Sequence, residues 1–120
     1  MSGDDFRGRR ILVIEDEYML ADELRSELER EGAVVIGPAG RLDTAFQLLE
    51  SEDRIDLAIL DVNLGGDDVF PVAETLERRK VPFVFTTGYD ASTVPTKFSN
   101  VPICNKPVDM RKLRELLAVG

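Results

Sequence analysis

Five short apolar runs divide the chain: ILVI at residues 11–14, AVVI at 33–36, IDLAIL at 55–60, FVFTT at 83–87 and VPIC at 101–104. They are mostly continuous rather than alternating, which suits strands covered on both faces, as in a parallel sheet lying between helices. The spacers carry a helical period instead. Leu20, Leu24 and Leu28 share one face ahead of a helix stop at Gly32, and Ala45, Leu48 and Leu49 mark a second helix. Val69, Val72, Ala73 and Leu76 mark a third; Leu113, Leu116 and Leu117 mark the last, with Asp109 as its N-cap.

The fourth spacer, residues 88–100, offers only Ala91, Val94 and Phe98 at helical spacing, and Pro95 interrupts any helix interior there. A short or irregular fourth helix is expected. The pattern is (βα)5, and right-handed crossovers wind it into a doubly wound, five-stranded parallel sheet. Residues 1–8 read as a flexible N-terminal tail and 9–120 as a single domain. The initiating Met1 is expected to mark a natural start, and a missing C-terminal part stays open.

Such a sheet offers its ligand site outside the carboxyl ends of its strands. Glu15, Asp16 and Glu17 follow the first run, Asp61 ends the third, Thr86 and Thr87 end the fourth, and Lys106 and Pro107 follow the fifth. Polar residues commonly follow strands. One lysine opposite several carboxylates and a hydroxyl is more than loop solvation requires.

Composition narrows the chemistry. With 15 basic and 23 acidic residues the net charge is −8, which disfavours a broad nucleic-acid surface. The clusters Arg78–Lys80 and Arg111, Lys112, Arg114 then read as solvated helix faces. Histidine is absent, which excludes imidazole-dependent triads, zinc sites and acid/base schemes. No apolar stretch reaches the roughly 20 residues of a membrane span, and no signal peptide is visible, so the cytoplasm is the expected location. Cys104, the one cysteine, reads as a buried strand residue.

Glu15, Asp16 and Asp61 crowd negative charge into one place, an arrangement that calls for a bound cation. Hard oxygen donors with room for water suit Mg²⁺. Lys106 is a mobile positive charge that can pair with a carboxylate or a phosphoryl oxygen, and Thr87 can donate a hydroxyl hydrogen bond. These are parts for forming an aspartyl phosphate, a reaction driven by positioning and charge neutralisation.

IEDE after the first strand, LDVNLGG after the third, TTG after the fourth and NKP after the fifth together resemble the receiver domain of two-component response regulators, over residues 9–118. The resemblance implies a flavodoxin-like strand order 2-1-3-4-5. It implies Asp61 as phosphoacceptor, Glu15 and Asp16 as the acidic pair holding Mg²⁺ with Asp61, and the backbone carbonyl of Asn63 as a further metal ligand. Thr87 becomes the switch hydroxyl, preferred over Thr86 because Gly88 follows it, and Lys106 the phosphoryl-binding lysine. Lys106-Pro107 is expected to be cis. The Asn63 side chain either tunes attack by water or belongs to a turn. Gly65 and Gly66 are expected to permit turn dihedrals rather than cradle phosphate, and Glu17 to be a first-turn helix residue.

One departure concerns Ile103, where the family usually has an inward-turning aromatic. FTTGYD is similar in part to the signature of the FAT GUY subgroup of single-domain receivers, which lacks that aromatic, has a poorly formed fourth helix and often pairs with HWE or related histidine kinases. The conformational switch is accordingly expected within residues 88–100, with Tyr89 a participant. The implied function is a stand-alone receiver that takes phosphate from a histidine kinase or a histidine phosphotransfer protein and signals to a downstream protein or drains phosphate. It catalyses only its own phosphorylation and dephosphorylation. Alternatives are a phosphorylation-independent pseudo-receiver, or a receiver fragment of a larger regulator or hybrid kinase. A haloacid-dehalogenase-type phosphatase is disfavoured, because Asn63 stands where that family has a second aspartate. A dinucleotide fold is disfavoured because no Gly-x-Gly-x-x-Gly follows the first strand.

Overall fold

The structure, a computed structural model, describes residues 6–64, 66–88 and 94–117. Five parallel strands form the sheet: β1 (Arg10–Ile14), β2 (Val34–Ala39), β3 (Leu57–Asp61), β6 (Phe83–Thr87) and β7 (Ile103–Asn105). Their order is β2-β1-β3-β6-β7, the doubly wound arrangement expected, with every ladder parallel. Successive strand residues point to opposite faces, and the packing follows. Ile11, Val13, Leu57, Ile59 and Val84 meet Leu24 and Leu28 of α1 (Tyr18–Arg30) and Leu113 of α4 (Met110–Leu116). Leu12, Ile14, Ala58, Leu60 and Phe85 meet α2 (Leu42–Ser51) and α3 (Phe70–Arg78) on the other side.

The fourth crossover lacks a helix among its described residues; it contains a 3-10 turn, Thr96–Phe98, after Pro95. Phe98 is buried there against three rings, at centroid distances of 5.8 Å from Phe70, 5.6 Å from Phe85 and 6.3 Å from Phe83. Asp109 caps α4 as expected, its side chain accepting the Arg111 N–H at 2.8 Å.

Three features depart from the sequence expectation. Phe6, assigned to the tail, is fully buried with Leu24, Leu28 and Leu117, and Gly8 N–H donates to Gly32 carbonyl at 2.8 Å. Among the described residues, packing therefore reaches back to residue 6 rather than residue 9: an aromatic ring near a chain end finds a place in the core. Between β3 and α3 lies an antiparallel hairpin of β4 (Asn63–Leu64) and β5 (Asp67–Asp68), too short to leave a periodic signal. In β2, Gly37 and Pro38 together stand opposite Val13, so the register with β1 shifts there. Gly37 has φ +98°, and a Cβ on it would lie 2.9 Å from the Val13 carbonyl oxygen, a place only glycine fits.

On the opposite edge from the carboxyl ends of the strands, Arg79 joins two helices. Its guanidinium donates to the carbonyls of Leu49 and Glu52, both at 2.8 Å, and Asp53 at 3.2 Å, satisfying groups that α2 leaves unpaired at its end. No helix among the described residues is long and apolar enough to cross a membrane.

Candidate functional site

The acidic residues meet where the sheet order reverses, between β1 and β3. Glu15 leaves β1 with its N–H bonded to the Ala39 carbonyl (2.9 Å), and its side chain turns inward, 6% exposed. The Glu17 N–H, at the start of α1, donates to Glu15 Oε2 at 3.0 Å. Asp61 ends β3, equally secluded at 4% exposure, and accepts the Asn63 N–H on Oδ1 at 3.2 Å. Asp16 is exposed at the mouth. One carboxylate oxygen from each of Glu15, Asp16 and Asp61 falls within 4.8 Å of the others.

Lys106 enters from beyond β7, its N–H bonded to the Thr87 carbonyl at 2.9 Å. Its ammonium lies 2.9 Å from Asp61 Oδ2 and 2.9 Å from Glu15 Oε1. Burial pushes the Asp61 carboxyl above the ordinary aspartate value; Glu15 adds to the rise, while Lys106 and the Asn63 N–H oppose it. Burial pulls the Lys106 ammonium down, but hydrogen bonds and attraction from Glu15 and Asp61 outweigh it and hold it above the ordinary lysine value. Among the described residues, the three carboxylates converge while the Lys106 ammonium pairs with two of them, Glu15 and Asp61.

The remaining expected residues find these places. Thr86 sits in register with Asp61 inside the sheet, and Thr87 forms the last position of β6; both are buried. The Lys106-Pro107 bond is cis, as expected, and a second cis bond joins Gly37 and Pro38. Pro107 walls a cleft with Leu20, Leu24 and Val108 beside Glu15 and Lys106. Ile103 is half-buried against the aromatic cluster, opposite Phe85 in the ladder. The Asn63 side chain accepts the Gly66 N–H at 2.9 Å, which places it in the hairpin turn, and Gly66 takes φ +102° there. Tyr89 and Gly65 lie outside the described residues. What the sequence concealed was the backbone: the N–H groups of Glu17 and Asn63 orient the two buried carboxylates, and main-chain donors leave no residue-type signature.

The donor set fits a small hard cation. Three convergent carboxylate oxygens with one member open to solvent suit Mg²⁺, which keeps part of its water shell.

The family model described as "Response regulator receiver domain" matches residues 11–118. Among curated proteins, the sensory transduction protein LytT of Bacillus subtilis (strain 168) is 30% identical over 112 residues, covering 90% of this chain and 46% of LytT. The chain thus spans less than half the length of this relative. Among solved structures, SdrG from Sphingomonas melonis Fr1 is 38% identical with a TM-score of 0.81, covering 92% of this chain and 94% of SdrG. TrrA from Thermotoga maritima, in complex with Mg(2+)-BeF, is 25% identical with a TM-score of 0.75, covering 89% of this chain and 94% of TrrA.

Proposed function

The chain belongs to the response regulator receiver family, and on that premise we propose that Asp61 accepts a phosphoryl group from a phosphohistidine of a histidine kinase or histidine phosphotransfer protein. The single observation that carries this reading is the contact of Lys106 with Asp61 at 2.9 Å beside the convergent oxygens of Glu15, Asp16 and Asp61. Mg²⁺ would be held by those carboxylates and the Asn63 carbonyl, and when bound it supplies charge neutralisation for the phosphoryl oxygens.

An Asp61 oxygen attacks phosphorus; the N–P bond breaks, its electron pair stays on the imidazole nitrogen, and that nitrogen takes up a proton. Asp61 is fixed for in-line attack by its strand and by the Asn63 N–H. Lys106 releases the ionised carboxylate and follows the negative charge onto the phosphoryl oxygens, while Thr87 donates a hydroxyl hydrogen bond to one of them. Water later hydrolyses the acyl phosphate. Such a receiver turns over only its own phosphate and acts in the cytoplasm through a protein target or as a phosphate sink. A kinase of the HWE or related families is the donor that the partial FAT GUY signature favours.

The test is intact mass after incubation with acetyl phosphate or phosphoramidate and Mg²⁺. An adduct of roughly 80 Da, one phosphoryl group, is expected in the native protein and not in Asp61→Asn. If neither those donors nor phosphohistidine kinases give the adduct, the chain is a phosphorylation-independent binding module.

A further inference from the structure

The three convergent carboxylates are not held alike. Glu15 and Asp61 both pair with Lys106, and each accepts a backbone N–H, from Glu17 and Asn63 respectively. Asp16 is exposed, and among the described residues no hydrogen bond or ion pair holds its side chain. Its place is therefore set through its backbone, at the corner between the end of β1 at Ile14 and the start of α1 at Tyr18.

That corner rests on the short link from β2 to α2, which consists of Gly40 and Arg41. Ala39, the last residue of β2, stands in register with Ile14, and its carbonyl accepts the Glu15 N–H at 2.9 Å. Gly40 follows directly. A Cβ on it would lie 3.3 Å from the Asp16 Cα, 3.5 Å from the Glu15 carbonyl oxygen and 3.8 Å from the Asp16 Cβ. All three atoms belong to the acidic pair, and the nearest is closer than ordinary van der Waals contact. Gly40 does not have a positive φ, so crowding rather than backbone torsion favours glycine here.

We infer that Gly40 is a positioning residue for Mg²⁺: its lack of a side chain lets the Asp16 backbone lie where its carboxylate converges with those of Glu15 and Asp61. The inference rests on the reading of these carboxylates as the Mg²⁺ site. In a close-packed corner a larger residue pushes Asp16 away by a few tenths of an ångström, and no side-chain bond returns the carboxylate to its place. Mg²⁺ demands near-ideal octahedral ligands at about 2.0–2.1 Å, whereas Ca²⁺ accepts irregular shells at about 2.3–2.6 Å. Crowding at position 40 therefore weakens Mg²⁺ more than Ca²⁺.

The experiment titrates the native protein and Gly40→Ala with Mg²⁺ and, separately, with Ca²⁺, following the backbone amide shifts of Glu17 and Asn63 by NMR. Gly40→Ala is expected to weaken Mg²⁺ binding about tenfold, the low end of the range for groups that orient metal ligands, and Ca²⁺ binding by less than about threefold. Phe6→Ala, a core variant near the start of β1, is expected to keep the native Mg²⁺ affinity, which separates positioning from general loss of stability. Unchanged Mg²⁺ affinity in Gly40→Ala, an equal loss for both ions, or the same loss in Phe6→Ala each overturns the role of Gly40. Should Gly40→Ala not fold, the native protein decides: Mg²⁺ is expected to shift the Gly40 amide together with that of Glu17, and an unmoved Gly40 amide overturns the role. Failure of the native protein to bind Mg²⁺ overturns the reading of the metal site and the inference with it.

Discussion

Lys106 and Asp61 link opposite halves of the site: ammonium and carboxylate lie 2.9 Å apart, from residues 45 positions apart in the chain. The same ammonium reaches Glu15, so one cation serves two secluded carboxylates. Removing it leaves both without a counter-charge.

Lys106→Met is accordingly expected to cost about 2–3 kcal/mol at pH 7 in urea unfolding, below the range for fully buried pairs because the lysine side chain keeps some water contact. The variant should regain stability as pH falls through the raised Asp61 value, where protonation removes the uncompensated charge. In the native protein, the Lys106 contribution is complete below the ordinary lysine value and lost as pH rises through its higher folded value, so the variant's alkaline limb should be flatter. Equal urea midpoints at pH 7 would show that the contact contributes nothing.

Asp56 governs part of the acid limb. Burial raises its pKa, but the Arg10 N–H at 2.9 Å and the Arg54 guanidinium at 3.1 Å bind the charged form and bring it below the ordinary aspartate value. Its stabilisation is present above the unfolded value and disappears as pH falls through the depressed one. Asp56→Asn should lose about 1 kcal/mol at neutral pH, after allowance for solvent screening, with the difference from native narrowing below about pH 4. A constant difference down to pH 2 in acid titration by circular dichroism would contradict this.

Phe6→Ala should destabilise by about 3 kcal/mol, as for a core phenylalanine. A change under about 0.5 kcal/mol in urea unfolding, as expected of a surface position, would return Phe6 to the tail.

Two glycines with similar φ provide a comparison. Gly37→Ala combines φ +98° with a collision against the Val13 carbonyl and should cost more than about 2 kcal/mol; Gly66→Ala, at φ +102° with open space around it, should cost about 1 kcal/mol. Equal thermal shifts would mean that the close approach of β1 and β2 is not what selects Gly37.

The strand order and the meeting of Glu15, Asp16, Asp61, Thr87 and Lys106 on one edge were legible because strand-end positions are fixed once apolar runs are ordered in a doubly wound sheet. The 3-10 turn that follows Pro95, in place of a regular helix among the described residues of that crossover, agrees with the sparse apolar spacing and the proline read there. The β4–β5 hairpin was not legible, since two-residue strands carry no period. Nor was the burial of Phe6, which depends on a space between α1 and α4 that no local pattern encodes. The Asn63 side chain stood between two roles in the sequence, and the Gly66 N–H decided for the turn.

The three hydrogen bonds of Arg79 have a mechanical consequence. They rivet the end of α2 and the following bend to α3, so this flank of the molecule responds to force as one stiff piece. A lysine at position 79 could not form the same rivet, because a single ammonium does not match three carbonyls spread across a planar fork.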